Sequence, residues 1–555
     1  MKPTVFLAIL AFIFFGGSER PALHGVGSAA LHAQTAPAKK PITHDAYDSW
    51  KSIQGTKLSA DGVWLAYALT PQDGDGELVV RNLKTNAEIR AARGREPQFT
   101  TDSRGVVFAV APLKKDVDQA RKAKKKPEDM PKAGVGIVNL STGQATVVAE
   151  HVKSFRVPDD VTPQVVVYLT AADAPAGGNG TAASPRTREK KTAGTDLIIR
   201  DLYTGAQTTI PEVSEYAVNR NGAWLAYGVS SKTPANEGAF ARGIANGVRK
   251  TLLTGPGNYK GFAFNNAGTQ AAFVSDRGDK PIYKLYQWST TADAASELPL
   301  PANAEMPVSD NGRLEFSKSG EYLFFGTAPP RAPEPDEPAD LIKVDIWNYK
   351  DAELQPMQKV RAEQELKRTY RAAFHLADKR FAQLATKDMP DVRISDGASQ
   401  ALGVSNVPYR QLVSWDGNYD DYYLVNLADG SRKKILDKEH FGATVSPGGR
   451  YILYFDEDDD CWYTVRVSDG AKTNITKGLG VMFQSETDDR PEHATPYGSA
   501  GWTTDDNTIL LYDRYDIWEV QPNGRNPRML TAGVGRKEQL VFRYRRTEPI
   551  APTQE

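Results

Sequence analysis

The sequence predicts an all-β propeller of seven or eight four-stranded blades, its C-terminal end left open to being incomplete, with short helical and disordered insertions. Three observations predict it. A unit recurs along the chain: a small or polar residue, an Asp-Gly or Asn-Gly type turn, an alternating apolar strand, a loop, and a second strand ending near Thr-Gly. The turn glycines Gly62 and Gly105, Gly222 and Gly268, and Gly268 and Gly320 are separated by roughly 43 to 52 residues, the size of a propeller blade. Finally, the segments between turns are short and rich in Trp, Tyr, Val and Ile, which suit a half-buried pleated surface.

In chain order, LSADGVWLAYAL (58–69) leads into ELVVRNLKTN (77–86), and VNRNGAWLAYGV (218–229) repeats its Trp-Leu-Ala-Tyr core. FTTDSRGVVFAV (99–110) is expected to pair with GIVNLSTG (136–143), and VVVYL (165–169) with LIIRDLYTG (197–205). FAFNNAGTQAAFVS (262–275) continues to YKLYQW, and LEFSKSGEYLFFG (314–326) to KVDIWNY. Three more units follow, through YYLVNLADG, ATVSPGGRYILYF with WYTVRVSDG, and GWTTDDNTILLYD with DIWEVQPNG. Eight or nine strand pairs are counted in this way. Three interruptions read as grafted loops: the Lys-rich run 114–132, a solvated helix or disordered excursion; residues 171–195, expected to be disordered; and the Pro and acid stretch 328–340. Residues 351–367 are the one good helix candidate.

The ends divide as 1–33 signal peptide, 34–44 linker, 45–546 propeller and 547–555 tail. Lys2 precedes the apolar run from Val5 to Phe15, and a small-residue stretch ends at Ala33. Eleven apolar residues are too few for a bilayer, which takes about 20. An exported, periplasmic or extracellular protein without a stable membrane anchor is expected.

With 68 Lys and Arg against 69 Asp and Glu, the chain has a formal net charge of −1. That balance argues against nucleic acid as a partner. The one cysteine, Cys461, excludes intrachain disulfides and Cys-pair metal sites. The seven histidines have no metal-ligand spacing and no phosphate loop occurs, so no metal or cofactor is expected.

Catalytic signals are equally sparse. No Gly-x-Ser-x-Gly occurs, and the lookalike around Ser499, with His493 and Asp505 nearby, leads into a strand rather than the helix a nucleophile elbow needs. Asp73, Asp75 and Glu77 lack the Gly and distal Glu of a calcium loop. The run Asp456 to Asp460 reads as a solvated loop that could attract a cationic peptide terminus. The loop 486–493 is too long for a tight turn, and loops carry function more often than strands. Its Glu486, Asp488, Asp489, Arg490, Glu492 and His493 are the candidate substrate-binding residues; no catalytic residue is assigned.

Four longer motifs go beyond a generic propeller: DIWNYKDAELQPMQ (345–358), RTYRAAFHLADKRFAQL (368–384), PYRQLVSWDGNYDDYYLVNLADG (408–430) and YGSAGWTTDDNTILLYDRYDIWEVQPNG (497–524). They resemble the N-terminal propeller of secreted bacterial S9-family serine peptidases, the prolyl oligopeptidase superfamily, from about Asp45 to Arg546. The resemblance implies a propeller that restricts peptide access to an α/β-hydrolase domain carrying Ser, Asp and His. Only 31 residues follow Gly524, too few for a domain of ~100 residues or more. The chain by itself is therefore expected to be inactive. Its expected partners are peptides and, for a split or truncated peptidase, a separate α/β-hydrolase chain. The other expectation is a standalone periplasmic propeller that binds a peptide or protein without cleaving it.

Overall fold

The computed structural model describes residues 43–159, 164–172, 193–278, 282–303, 305–330, 344–395, 397 and 400–545. Most of the segment 171–195 and residues 331–340 of the Pro-rich stretch, like the whole leader, lie outside the described residues. Seven antiparallel sheets form, six of four strands and one of ten, and the all-β propeller class holds.

The ten-stranded sheet contains three four-stranded units, because two long strands each serve twice. Gln144–Arg156 pairs through its first half with Ala133–Asn139 and through its second half with Val165–Thr170. Gln207–Val218 does the same between Thr195–Asp201 and Trp224–Val229. Each bends at one residue with left-handed backbone, His151 (φ 55°) and Glu212 (φ 58°), just before a buried valine, Val152 or Val213, that pairs on both sides. Counted as packing units, the chain therefore carries nine.

Eight apolar clusters join these nine units in succession. Leu78 and Val80 of unit one meet Phe108 and Val138 of unit two, and the series ends where Phe455 and Trp462 of unit eight meet Trp502 and Leu511 of unit nine. Among the described residues no cluster joins unit nine to unit one. Alternation along each strand puts charge on the two outward faces instead. On unit one, Lys51 and Arg90 pair with Glu77 (3.0 and 2.9 Å) and Arg90 with Glu88 (2.6 Å). On unit nine, Glu519 pairs with Arg528 (2.5 Å) and accepts the Thr508 hydroxyl (3.0 Å). A polar outer face lets a stack of repeats stop without exposing an apolar sheet.

The turn between the first two strands of a unit is built the same way seven times. The side-chain oxygen of Ser59, Thr100, Asn219, Asn265, Ser317, Ser446 or Thr503 accepts the backbone N–H five residues on, at 2.9 to 3.1 Å. The backbone N–H of the same residue donates to the carbonyl of that fifth residue. Six of the seven are buried, so the small or polar residue of the sequence repeat is a lock inside the turn. The residue three further on has positive φ in every case: Gly62, Gly222, Gly268, Gly320 and Gly449, but Ser103 in unit two and Asp506 in unit nine. Gly105, taken from the sequence as a turn glycine, is instead the first residue of the strand Gly105–Val110.

Neighbouring turns are stitched together. Asn219 Nδ2 donates to the Gly268 carbonyl (3.2 Å). Asp506, 2% exposed, accepts the Ser446 hydroxyl (2.6 Å) and the Gly448 N–H (2.9 Å) of the preceding unit.

Antiparallel succession places all the first-to-second and third-to-fourth turns at one end of the units, and the second-to-third connections at the other. The insertions gather at that other end. They include helix α1 (Lys114–Lys122), helix α2 (Gln355–Leu366) and the 3-10 segment Val407–Ser414. The helix expected over 351–367 is α2, and the Lys-rich run begins with α1. One expected strand fails: the partner of Tyr322–Thr327 is Tyr370–His375, not KVDIWNY. Ala372 and Phe374 are buried on the apolar face of that strand, whereas Ile346, Trp347 and Tyr349 are 64–89% exposed.

Removing the turn locks has a defined cost. Asn219→Ala is expected to lower stability by about 1–2 kcal/mol and Asp506→Ala by about 2–3 kcal/mol, because each leaves buried N–H or O–H groups without an acceptor. Urea denaturation of each variant against the parent chain measures both.

Candidate functional site

The insertion end also receives the beginnings of the first strands, and there charges of alternating sign occupy successive units. Lys153 lies in the second half of Gln144–Arg156, Glu215 in Gln207–Val218 and Lys260 in Tyr259–Phe264, with Asp310 just before unit six. Their level is set by the buried residues that precede them: Val152, Val213 and Tyr259 each pair with the end of the second strand of their unit, and Val308 bridges Thr327 in the same manner.

The Lys260 ammonium is 2.6 Å from the Asp310 carboxylate. Glu215 accepts the Gly261 N–H at 2.7 Å; burial nevertheless pushes its carboxyl up, with Lys260 and Lys153 opposing the shift. Burial and the Asp310 charge raise the Tyr283 phenol strongly. Behind these groups Asp276, 5% exposed, accepts the Asn258 N–H and side-chain amide (2.5 and 2.8 Å), and Glu237, 5% exposed, accepts the Gly257 N–H (3.0 Å). Such a band can hold a ligand that carries both an ammonium and a carboxylate. Sequence reasoning missed it, because the four charges stand about 45 to 62 residues apart and only stacking the units brings them together. The available signal was a lone charge inside an otherwise apolar strand, as in Tyr259-Lys260-Gly261-Phe262.

The loop 486–493 forms the connection into unit nine. Glu486 binds Arg536 (2.5 Å) and lies 3.6 Å from Arg514, and its N–H donates to the Tyr497 hydroxyl (2.9 Å). Asp488 takes a two-pronged contact from Arg490 (3.0 and 2.8 Å), which holds its carboxyl down at about 2, and Arg490 also pairs with Glu492. The structure thus brings Glu486, Asp488, Arg490 and Glu492 into ion pairs and leaves Asp489 and His493 exposed.

Glu486 faces a second arrangement, carried by the DRYDIW segment. Asp513 and Asp516 are fully buried. Asp513 accepts the Tyr515 and Asp516 N–H groups (both 2.7 Å) and the Trp518 indole N–H (3.0 Å). Asp516 accepts the Thr531 hydroxyl (2.5 Å) and the N–H groups of Gly535 (3.0 Å) and Arg536 (2.9 Å). These bonds dock the short helix α3 (Val534–Glu538) against the last unit.

Several of the other acid groups are paired as well. Asp73 pairs with Lys114 (2.5 Å), Asp75 accepts the Lys114 N–H (2.8 Å), and Glu77 belongs to the charged face of unit one. Ser499 begins the strand Ser499–Trp502. In the run 456–460, Asp459 accepts the Tyr463 hydroxyl (2.6 Å), and Glu457 lies 3.3 Å from His440 Nδ1. Next to it burial, with the charges of Asp456, Glu457 and Asp437, pushes the Glu439 carboxyl up to about 7 against the pull of Lys472. Among the described residues no group of three or more His, Cys, Asp or Glu is arranged to hold a metal ion, and no helix is long and apolar enough to cross a membrane.

Comparison with known proteins finds likeness in structure alone. No protein-family profile matches the chain, and no curated protein matches it. The propeller domain of the trilobed protease of Pyrococcus furiosus, described as having an open velcro topology, is 12% identical, over 70% of this chain and 99% of that one, with a TM-score of 0.30. A structure of prolyl endopeptidases is 12% identical over 76% of this chain and 55% of that one (TM-score 0.34). A eukaryotic initiation factor is 10% identical over 76% of this chain and 87% of that one (TM-score 0.40). At these identities the likeness extends to the fold alone.

Two outcomes test this description. Glu439 has its folded pKa raised above the ordinary carboxyl value, so its contribution is fully present below about pH 4.5 and is lost as pH rises through about 7. Glu439→Gln is therefore expected to remove about 2 kcal/mol of the decline in stability between pH 5 and 8, read by denaturation at both pH values. Asp516→Ala is expected to cost about 2–3 kcal/mol and to release α3, seen as faster amide exchange at Gly535 and Arg536.

Proposed function

We propose that this chain is the propeller portion of an exported S9-type serine peptidase, binding peptides and controlling their access to a catalytic domain that its described residues do not form. The observation that carries this is the band Lys153, Glu215, Lys260 and Asp310 at the insertion end. A peptide is a chain of neutral amides with a cation at one end and an anion at the other, so a surface with acids and bases in alternation offers both termini a partner. The exposed Asp489 and His493 serve as rim contacts in this proposal. The four long motifs of the sequence support the S9 assignment. Export rests on the apolar run from Val5 to Phe15 and the stretch up to Ala33. The second reading, a standalone binding propeller, uses the same band without a hydrolase partner.

Titration of short unblocked peptides into the purified chain, followed by calorimetry, tests the proposal. Binding is expected, with Glu215→Gln and Lys260→Met each weakening it about tenfold. The absence of binding, or equal binding by both variants, would overturn it. Restoration of peptidase activity by a co-expressed α/β-hydrolase chain would separate the split-enzyme form from the standalone one.

A further inference from the structure

The register of the first strands extends the charged band at both ends. Four charged residues each face the last residue but one of the second strand of their unit: Arg95 faces Ala109, Glu215 faces Gly228, Lys260 faces Val274 and Asp391 faces Val404. Lys153 lies in the bulge between Val152 and Ser154, which face Thr170 and Leu169, the last two residues of their strand. Asp310 follows Ser309, whose N–H donates to the Gly326 carbonyl (2.9 Å), again the last residue but one. Units two to seven thus all carry a charge at this level. The three remaining units do not: Ser52 faces Thr70 in unit one, Ser499 faces Leu511 in unit nine, and in unit eight Gly442 precedes Ala443, which faces Tyr454.

The signs along this row have an order. Units two and three supply the bases Arg95 and Lys153, units six and seven the acids Asp310 and Asp391, with Glu215 and Lys260 between them. The centre is matched internally, since Lys260 binds Asp310 (2.6 Å) and Glu215 accepts the Gly261 N–H (2.7 Å). The ends are not. Lys153 and Asp391 are exposed, and neither side chain makes a hydrogen bond or an ion pair among the described residues. Arg95 lies 3.7 Å from its chain neighbour Glu96, and Arg368 has Glu365 as its first partner, with Asp391 adding to it from a distance. A row with bases at one end and acids at the other holds a ligand of opposite terminal charges one way round, because the reversed ligand sets like charges side by side.

We infer that a peptide bound to this row lies in one direction, its amino terminus at Asp391 and Asp310 and its terminal carboxylate at Lys153 and Arg95. The inference rests on the peptide-binding reading of the band and adds to it a direction, a length and the residues Arg95 and Asp391. Between the termini, Glu215 and Lys260 meet the amides of the ligand: the Lys260 ammonium has three donors, of which Asp310 takes one. Packed sheets stand ~10 Å apart, so Lys153 in unit three and Asp391 in unit seven are separated by ~40 Å at most, which an extended peptide of ~12 residues spans.

Calorimetric titration of the full chain with one uncharged polar sequence of ~12 residues, made with free ends, with an acetylated amino terminus and with an amidated carboxyl terminus, is the test. For the parent chain, acetylation and amidation are each expected to weaken binding about tenfold. Asp391→Asn is expected to bind the free and acetylated peptides equally while still responding to amidation. Lys153→Met is expected to do the converse. Both side chains are exposed, so the melting temperatures of the two variants should match that of the parent. Failure of the parent to bind the free peptide would overturn the peptide reading of the band and this inference with it. Binding in which the two variants keep the parent's responses, or exchange them, would overturn the direction and leave the peptide reading standing.

Discussion

A hydroxyl or amide oxygen at the head of seven first turns, on a buried residue in six of them, holding the N–H five residues further on, is the interaction on which the rest of the architecture depends. The oxygen is shut away from water, so the bond cannot be exchanged for a hydrated one without the full cost of an unmet polar group. Its geometry requires a left-handed residue three positions on, which glycine supplies in five of the seven turns. Once the turn is closed, the two strands it joins have one register and one orientation of their apolar faces. Contacts such as Asn219 to Gly268 and Asp506 to Ser446 then fix each turn against its neighbour, so the same local bond also limits the angle between successive units.

With one end of seven units committed to these tight turns, variation is left to the other. Helices α1 and α2, the 3-10 segment beside α2, and the hairpin that carries Asp513 and Asp516 all project there. The same end gathers Lys153, Glu215, Lys260 and Asp310, because the first three occupy the start of a first strand and Asp310 lies just ahead of one. Rigid strands thus place the charged band, while the insertions around it are free to differ in length. The ion pairs of 486–493 belong to this division as well: Glu486 uses its charge on Arg536 and so ties the last connection to the C-terminal helix.

Legibility followed range. Strand pairs such as 165–169 with 197–205 were readable because alternation and turn residues lie within a few positions of one another. The turn of unit two was misplaced by two residues, since Gly105 is the conspicuous glycine there while Ser103 adopts the left-handed conformation. KVDIWNY looks like a strand by composition, but Tyr370–His375 can turn Ala372 and Phe374 into the cluster shared with unit five, and burial there decides the pairing. The binding candidates of 486–493 stand out in the sequence by loop length and polarity; which of them pair with Arg490, Arg514 or Arg536 depends on residues up to 50 positions away.

The sequence by itself determined the fold class, the turn locks and the position of most strands, because period-two alternation and turn chemistry act between residues close along the chain. It also determined that charge is balanced and that cysteine pairs are excluded. Tertiary structure alone decided that His151 and Glu212 split long strands between two units, that nine units are joined by eight apolar clusters, and that scattered acids and bases meet in one band. The physical reason is that packing and Coulomb interactions depend on distance in space, and stacking the units is what brings residues about 45 to 62 positions apart within reach of each other.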